Sequence, residues 1–391
     1  MLKVLRLARR LAVGGVIVAG ALSGPALAAE TLKIGVVGGL TGPGAAWGLA
    51  IDAGAKIAAA EINAKGGLSI GGKPHTVEVV SYDDQYKAAS AVTAVNRLID
   101  QDEVKFILGP IGSASLLAIK PITERNKVIL LSNTYTAKAL ENTGYVFRVL
   151  PTTQEYNASF IDWLKTNRPA IRSVALLSPN DETGWNSQKV QTEAYGKAGF
   201  TIAAAELFER QQTDFRAVLT RILASKPDAI ELDTTPPPTA GLVVRQAREL
   251  GFSGQFTKFG GVNVAEIVKG AGAENAEGML GYFAADPDSK EWAWLQTEYA
   301  KHHPNEMSDF TFFFYDAAKL LLAAIGRAGT ATDTDAVRAQ IEQGAPFDTL
   351  LGKAFWGGKA AYGIDHQLVT PSFLGEIQKG KGKVIARLAA Q

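Results

Sequence analysis

Short apolar runs alternate with amphipathic stretches along most of the chain. LKIGVVGGL (32–40) is an apolar run bounded by glycines, and the stretch 48–67 after it has apolar residues at helical spacing and ends in glycine. The same alternation predicts strands at 75–84, 105–109 and 128–133 and helices at 87–101 and 115–126. Alternating strands and helices of these lengths are typical of an α/β fold with a parallel, doubly wound sheet.

A second α/β series follows an extended stretch at 145–151. It predicts helices at 155–167, 185–198, 214–225 and 239–250, and strands at 172–178, 200–207, 228–233 and 256–261. Because its rhythm repeats the first series, we expect two similar α/β lobes. Stretches 278–284 and 356–365 offer later crossings between them, which predicts a hinge and a cleft. The predicted first lobe is 29–149 plus 282–362, and the second is 150–281 plus 363–391.

The first 28 residues have the composition of a secretory signal peptide. Four basic residues precede the apolar stretch 11–22, and Ala26-Leu27-Ala28 supplies the small residues of a cleavage site. A membrane anchor is the alternative, but the apolar stretch is short for crossing hydrocarbon. We therefore expect cleavage near Ala28, export to the periplasm and no membrane insertion of the mature chain.

Charge and cysteine content narrow the class of protein further. The full chain has 40 Lys and Arg against 39 Asp and Glu, and removing residues 1–28 leaves 36 against 39, a net charge of −3. A nucleic-acid-binding protein would normally be strongly basic. The absence of cysteine excludes disulfides and a lipid attached at the cleavage site.

The loop FILGPIGSAS (106–115) places small residues between a predicted strand and a predicted helix. A phosphate loop needs G-x-x-x-x-G-K-[ST], which is absent, and the glycine-rich stretch 38–48 has Trp47 where a dinucleotide fingerprint needs its third glycine. A hydrolase elbow needs glycine two positions before and after the serine, but Ile111 and Ser115 flank Ser113. The four histidines lie in polar stretches that predict surface positions, and no spacing suggests a metal. We expect neither an enzyme nor a cofactor.

The role that remains possible for this loop is noncovalent binding of an anion. Backbone N–H groups at the start of the following helix, with the Ser113 hydroxyl beside them, would attract a carboxylate. The next strand end, SNTYT (132–136), adds Thr134, Tyr135 and Thr136 as neighbouring donors. The alternative is that Ser113 only caps its helix, and the residues alone leave both open.

Several stretches together resemble a known family. TLKIGVVGGLTGPGAAWG, EINAKGG, VEVVSYDDQY and FILGPIGSAS occur in this order, followed by FRVLP and RQARELG. Over essentially the whole mature chain the sequence resembles the type I periplasmic solute-binding proteins of ABC transporters, in the leucine/isoleucine/valine-binding class. This resemblance implies two lobes joined by three crossovers, a monomer that closes around a solute, and an ABC permease with its ATPase subunits as partners.

The resemblance also implies individual ligand contacts. Trp47 stands where the family has an aromatic residue, Gly112 and Ser113 where the ligand carboxylate is held, and Thr134 and Thr136 at the next strand end. In the second lobe, Thr183 stands where the family has a tyrosine, and Thr235 or Pro236 where it has another.

One position departs from the family pattern. Gly260 stands where the family has the acid that pairs with the ligand ammonium. An unpaired buried ammonium is costly, so either Asp233, Glu182 or Asp181 replaces that acid or the ligand has no amine. Four aromatic residues near the loops would suit a flat apolar ligand, although each could instead be core: Trp47, Tyr135, Trp185 and Phe259.

The sequence thus predicts a periplasmic solute receptor. The ligand would be a hydrophobic amino acid or, alternatively, an amine-free aromatic or aliphatic carboxylate. A sensor subunit that feeds a receptor, and a periplasmic hydrolase, are the alternative classes.

Overall fold

The computed structural model describes residues 30–388 except 43 and 345. The predicted signal peptide at 1–28 lies outside this range. Within the described residues, none of the helices combines the length and the apolar character needed to cross a membrane.

The first α/β series begins with β1 and ends with β6. Its elements are β1 (Glu30–Gly38), α1 (Ala45–Ala64), β2 (Leu68–Ile70), β3 (Lys73–Asp83), α2 (Ala88–Asp100), β4 (Phe106–Leu108), α3 (Ser113–Arg125), β5 (Ile129–Ser132) and β6 (Val146–Arg148). A 3₁₀ turn, Ala137–Ala139, precedes β6. These boundaries lie within a few residues of those that hydrophobic periodicity predicts.

The second series forms the other lobe. Its elements are α4 (Thr153–Asn167), β7 (Ser173–Pro179), α5 (Glu182–Ala198), β8 (Thr201–Phe208), α6 (Arg216–Ala224), β9 (Ala229–Glu231), α7 (Pro237–Glu249), β10 (Gln255–Lys258), α8 (Val264–Ala271), α9 (Ala273–Ala276) and β11 (Leu280–Phe283).

The remaining chain contributes to both lobes. Its elements are α10 (Lys290–Tyr299), α11 (Phe310–Ala328), α12 (Thr334–Gln343), β12 (Phe347–Thr349), β13 (Gly352–Gly357), α13 (Lys359–Tyr362), β14 (Gln367–Val369), β15 (Ser372–Gln378) and β16 (Lys381–Leu388).

Two sheets confirm the predicted α/β fold. The first has the order β12-β13-β14-β6-β5-β4-β1-β3-β2, and the second has the order β16-β15-β11-β10-β9-β7-β8. Pairing is parallel from β3 through β1, β4 and β5 to β6, and from β8 through β7, β9 and β10 to β11. Antiparallel strands lie at the sheet edges. The carboxyl ends of the parallel strands carry the loops of the candidate site.

The chain passes between the sheets after β6, β11 and β14. The changes of sheet occur a few residues after the predicted boundaries at 282 and 363. Tyr282 and Phe283 still pair with β15 of the second sheet, and Gln367 pairs with Arg148 of the first. Hydrophobic periodicity does not show this, because the strand partner and not the strand pattern decides the lobe.

Helices α1 and α11 pack at very short distance in the first lobe. A Cβ placed on Gly54 would lie 2.6 Å from the backbone nitrogen of Tyr315, so only glycine permits this approach. Helix α11 buries most of its side chains and begins at Phe310 beside the cleft between the lobes.

Candidate functional site

A narrow, partly open cavity with a volume of about 10 Å³, roughly the space of one water molecule, lies between the two lobes. Its walls come from loops that follow the parallel strands of both sheets and from the first turns of α1, α5 and α11. The lining residues are Trp47, Tyr86, Ile111, Tyr135, Thr183, Thr234, Gly260, Gly261 and Phe310. Aromatic rings form much of the wall, which gives the cavity the apolar lining that is typical of sites for small molecules.

Ser113 joins the lobes at one part of this site. Gly112 is the N-cap of α3, and Ser113 is the first helical residue and fully buried. The Ser113 hydroxyl oxygen accepts hydrogen bonds from the backbone nitrogen of Thr136 (3.2 Å) and from Oγ1 of Thr183 (3.0 Å). The Ser113 backbone nitrogen donates to Thr183 Oγ1 at 3.3 Å. Ser113 makes no side-chain cap to α3, so the capping alternative does not describe it.

The loop before Ser113 lies directly against strand β1. A Cβ on Gly109 would be 1.9 Å from the carbonyl oxygen of Val37, and the Gly109 φ of +95° also favours glycine. This close approach explains why the loop has no bulky residue at its start.

Thr134 supports this loop from behind rather than lining the cavity. It is fully buried, and its hydroxyl lies 3.3 Å from Ser132 Oγ. Ser132 Oγ donates to the carbonyl oxygen of Pro110 at the shorter distance of 3.0 Å. Thr134 therefore lies beside the residue that holds the loop in place.

Tyr135 and Thr136 carry further contacts between the lobes. The Tyr135 ring lines the cavity, and its carbonyl oxygen accepts from Asn186 Nδ2 at 2.9 Å. Thr136 Oγ1 donates to Glu182 at 3.4 Å, and Lys138 pairs with the same carboxylate at 3.0 Å. The lobes are therefore closed on each other in this structure.

Asp233 occupies the space beside Gly260. A Cβ on Gly260 would lie 2.2 Å from Asp233 Oδ1, 2.6 Å from the hydroxyl of Tyr156 and 3.0 Å from that of Tyr135. No larger residue fits at position 260 without moving these groups. An acid from the end of β9 thus stands where an acid following β10 would point.

The Asp233 carboxylate is fully satisfied by the protein. One oxygen accepts from the Tyr156 hydroxyl (2.9 Å) and the backbone nitrogen of Thr234 (2.9 Å). The other accepts from the hydroxyls of Thr153 (2.6 Å) and Ser187 (2.5 Å). Because a carboxylate offers about four acceptor sites, little capacity remains for a ligand ammonium.

Further ionisable groups are buried around Asp233. Burial raises the pKa of Glu231 to about 7, and the nearby Asp233 charge adds to this. Burial also raises the pKa of Asp309 to about 7. Burial lowers the pKa of Lys258 to about 8 against the attraction of Asp233 and other acids, and Lys258 donates to the carbonyl of Gly260. That carbonyl is therefore already engaged by the protein.

Asp181 and Glu182 have protein partners of their own. Asp181 caps α5 through the backbone nitrogens of Thr183 and Gly184 and pairs with Arg210. Glu182 faces the first lobe, as described above. Neither residue lines the cavity.

Gly112, Ser113, Thr134, Thr136 and Asp233 lie beside the cavity but are not among its lining residues, and three further predicted contacts, Phe259, Trp185 and Thr235, also lie outside its wall. Phe259 lies in the core, where it packs on Phe160 with ring centroids 4.9 Å apart. Its side chain points away from the cavity, whereas the next residue, Gly260, lines the cavity. Trp185 is 50% exposed and donates to Asn180. Thr235 is buried but does not line the cavity.

The histidines are more buried than their polar neighbours predict. His366 is 2% exposed, with ring nitrogens 2.8 Å from the Val146 carbonyl and 3.1 Å from Glu342. His75 is also buried. Tertiary packing decides this exposure, and the lining residues of the cavity include no histidine among those that the structure describes.

Two aromatic residues of the cavity wall are not predicted from the sequence. Tyr86 and Phe310 each lie 6.4 Å from Trp47 between ring centroids, and the Tyr86 hydroxyl lies 3.3 Å from Thr183 Oγ1. The position of Tyr86 just after a predicted strand is a feature of the sequence that indicates a place near the site. No such feature indicates Phe310, because it begins a helix that packs beside the cleft.

Comparisons with known proteins agree with this architecture. The sequence model of the family described as periplasmic binding protein matches residues 31–382. The chain is 29% identical to the Leu/Ile/Val-binding protein BraC3 of Rhizobium johnstonii, over 85% of this chain and 89% of that protein. It is 27% identical to an amino acid binding protein of Pseudomonas aeruginosa, over 86% of this chain and 88% of that one.

Solved structures share the two-lobed fold. The branched-chain amino acid transporter substrate-binding protein LivJ of Streptococcus pneumoniae, in complex with isoleucine, superposes with a TM-score of 0.79 at 25% identity, over 93% of this chain and 100% of that one. A solute-binding protein of R. palustris in complex with benzoate gives 0.78 at 16% identity, over 93% and 98%, and shows the fold alone. The chain therefore belongs to the periplasmic binding protein family.

Proposed function

We propose that this protein is the substrate-binding component of an ABC importer and captures a small carboxylate-bearing solute between its lobes. The observation that carries this proposal is the cavity lined by aromatic rings at the carboxyl ends of both sheets, beside the N-terminus of α3. Binding, rather than catalysis, is what this wall of rings and hydroxyls supports.

The ligand carboxylate would take the hydrogen bonds now made between the lobes. Ser113 offers a hydroxyl and a backbone N–H, and both now bond to Thr183. The Thr136 backbone N–H lies next to them. The N-terminus of α3, a helix of 13 residues, favours negative charge at this point.

The first ligand class is a hydrophobic, branched-chain amino acid. The names of the relatives support this class, and the aromatic wall suits an apolar side chain. Asp233, beside Gly260, would be the acid that attracts the ammonium.

The second class is an amine-free aromatic or aliphatic carboxylate. The specific observation in its favour is that Asp233 already accepts four hydrogen bonds and that Lys258 engages the Gly260 carbonyl. An ammonium would have to displace one of these donors.

Closure of the lobes would be the signal to the membrane partners. A ligand that binds the closed form more tightly shifts the open–closed equilibrium toward it. The closed monomer would then deliver its solute to the permease and ATPase subunits. We place it in the periplasm after cleavage near Ala28. A sensor subunit would use the same closure.

Calorimetry with matched ligands tests the two classes. Leucine and 4-methylpentanoate share a carboxylate and an apolar body and differ in the amine. Binding of leucine alone supports the first class, and binding of 4-methylpentanoate alone supports the second. If neither these nor benzoate, isoleucine or phenylalanine binds, the proposed function is wrong.

A further inference from the structure

Two hydrogen-bonding groups in the cavity wall have no partner in the described part of the chain. They are the indole nitrogen Nε1 of Trp47 and the hydroxyl Oγ1 of Thr234. Trp47 is 5% exposed and Thr234 is 4% exposed. Buried polar groups are normally hydrogen-bonded. Two such groups without partners in a binding cavity therefore point to a hydrogen-bonding group on the ligand.

Trp47 is held so that its indole edge faces the opposite lobe. Its ring stacks on Phe310 at an interplanar angle of 22°. Its Nε1 lies 3.3 Å from the position that a Cβ on Gly261 would occupy. Because Gly261 has no side chain, nothing from that residue covers the N–H. An indole nitrogen can only donate, so its partner must be an acceptor.

Thr234 adopts a backbone conformation that is unusual for a β-branched residue. Its φ is +60°, in the left-handed region. In this geometry the Thr234 backbone nitrogen donates a hydrogen bond to Asp233 Oδ1 (2.9 Å), and the side chain lies in the cavity wall. Strained backbone of this kind is concentrated at functional sites.

Tyr86 connects the Ser113 cluster to Trp47. The Tyr86 hydroxyl is 3.3 Å from Thr183, the partner of Ser113, whereas its ring centroid is 6.4 Å from that of Trp47. A ligand whose carboxylate is at Ser113 would extend past Tyr86 to meet Trp47.

We infer that the cavity recognises an oxygen acceptor on the apolar body of the ligand, with Trp47 Nε1 and Thr234 Oγ1 as its donors. The ligand is then an oxygenated hydrophobic carboxylate, bearing a hydroxyl, oxo or second carboxyl group besides the anchored one. This inference rests on the proposed function, because it takes the carboxylate to be held at Ser113.

Matched ligand pairs in which one member carries a hydroxyl in place of a hydrogen atom or a methyl group test the inference. Calorimetry would measure Kd for benzoate against 4-hydroxybenzoate, and for valine against threonine. We expect the oxygenated member of at least one pair to bind at least tenfold more tightly. Trp47→Phe and Thr234→Val should each reduce that ratio about fivefold or more. Tyr299→Phe, which removes a buried unpaired hydroxyl on α10, should leave the ratio unchanged.

The outcomes separate this inference from the proposed function. Equal or weaker binding of the oxygenated member in both pairs overturns the inference and leaves solute binding intact. The same conclusion follows if the ratio survives in both variants. Absence of binding by all four ligands, together with those of the previous panel, overturns the proposed function and the inference with it.

Discussion

Arg148 donates a hydrogen bond from Nη1 to the carbonyl oxygen of Thr136, 3.3 Å away. Arg148 is fully buried at the end of β6, where the chain first leaves the first lobe. The backbone nitrogen of the same residue, Thr136, donates a hydrogen bond to the Ser113 hydroxyl. The candidate carboxylate site and the first crossing between the lobes therefore share one guanidinium.

The same guanidinium reaches two other parts of the hinge. It pairs with Glu155, in the first turn of α4, at 3.2 Å, and donates to Gln367 of β14. Its centre also lies 4.5 Å above the ring of Tyr362. These contacts connect the site loop to the first and third crossing segments.

Replacement of Arg148 by glutamine should destabilise the protein and weaken ligand binding together. Loss of one partner of a buried ion pair costs about 3–5 kcal/mol, and the Thr136 carbonyl would lose its donor. Arg148→Lys should retain part of the stability but lose the multiple contacts of the guanidinium. Thermal unfolding and calorimetry check this. Wild-type ligand affinity in both variants would contradict a role for Arg148 in the site.

Ser113→Ala should weaken ligand binding by about 1–3 kcal/mol, the cost of leaving a charged acceptor without its donor. Ser69→Ala, at an exposed position in β2, is the matched control and should bind normally. Calorimetric Kd values for the two variants are the measurement. Equal affinities would mean that the Ser113 hydroxyl serves only lobe closure.

Gly260→Ala should destabilise the closed protein by about 1–3 kcal/mol, because the new methyl group overlaps Asp233 and Tyr156. In the double variant Asp233→Ala/Gly260→Ala the clash with Asp233 is absent, so the two effects should not add. Gly196→Ala is the control, at an exposed helical glycine with open space around it. Strict additivity in denaturant unfolding would contradict the contact.

Asp316 should make stability fall with rising pH. Burial raises its pKa to about 8, and its oxygens accept from the backbone nitrogen of Leu350 at 3.1 Å. A carboxyl group with a raised folded pKa contributes stability that is present below about pH 4 and lost as pH rises through about 8. The free energy of unfolding of Asp316→Asn should therefore rise relative to that of the wild type, by at least about 1 kcal/mol between pH 5 and pH 9. A constant difference in melting temperature across that range would contradict this pKa.

Much of the fold could be predicted because it depends on local patterns. The alternation of strands and helices, and the loops that follow strands, are visible in the periodicity of apolar residues. Trp47, Tyr135, Thr183 and Gly260 line the cavity as those loops suggested.

The other features depend on tertiary geometry. Phe259 and Gly260 are neighbours in sequence but face the core and the cavity, respectively, which the local sequence does not reveal. Phe310 is brought to the site by the packing of α11. The nearness of Asp233 to Gly260 joins two strand ends that are adjacent only in the folded sheet.

The central claim is that a ligand carboxylate is held beside Ser113 between the lobes. The most direct measurement compares, by calorimetry, the tightest-binding solute of the panel with its primary amide, which keeps the shape and removes the charge. We predict that the amide binds at least about 100-fold more weakly, corresponding to about 2.7 kcal/mol. Equal affinity of the acid and its amide would contradict the claim.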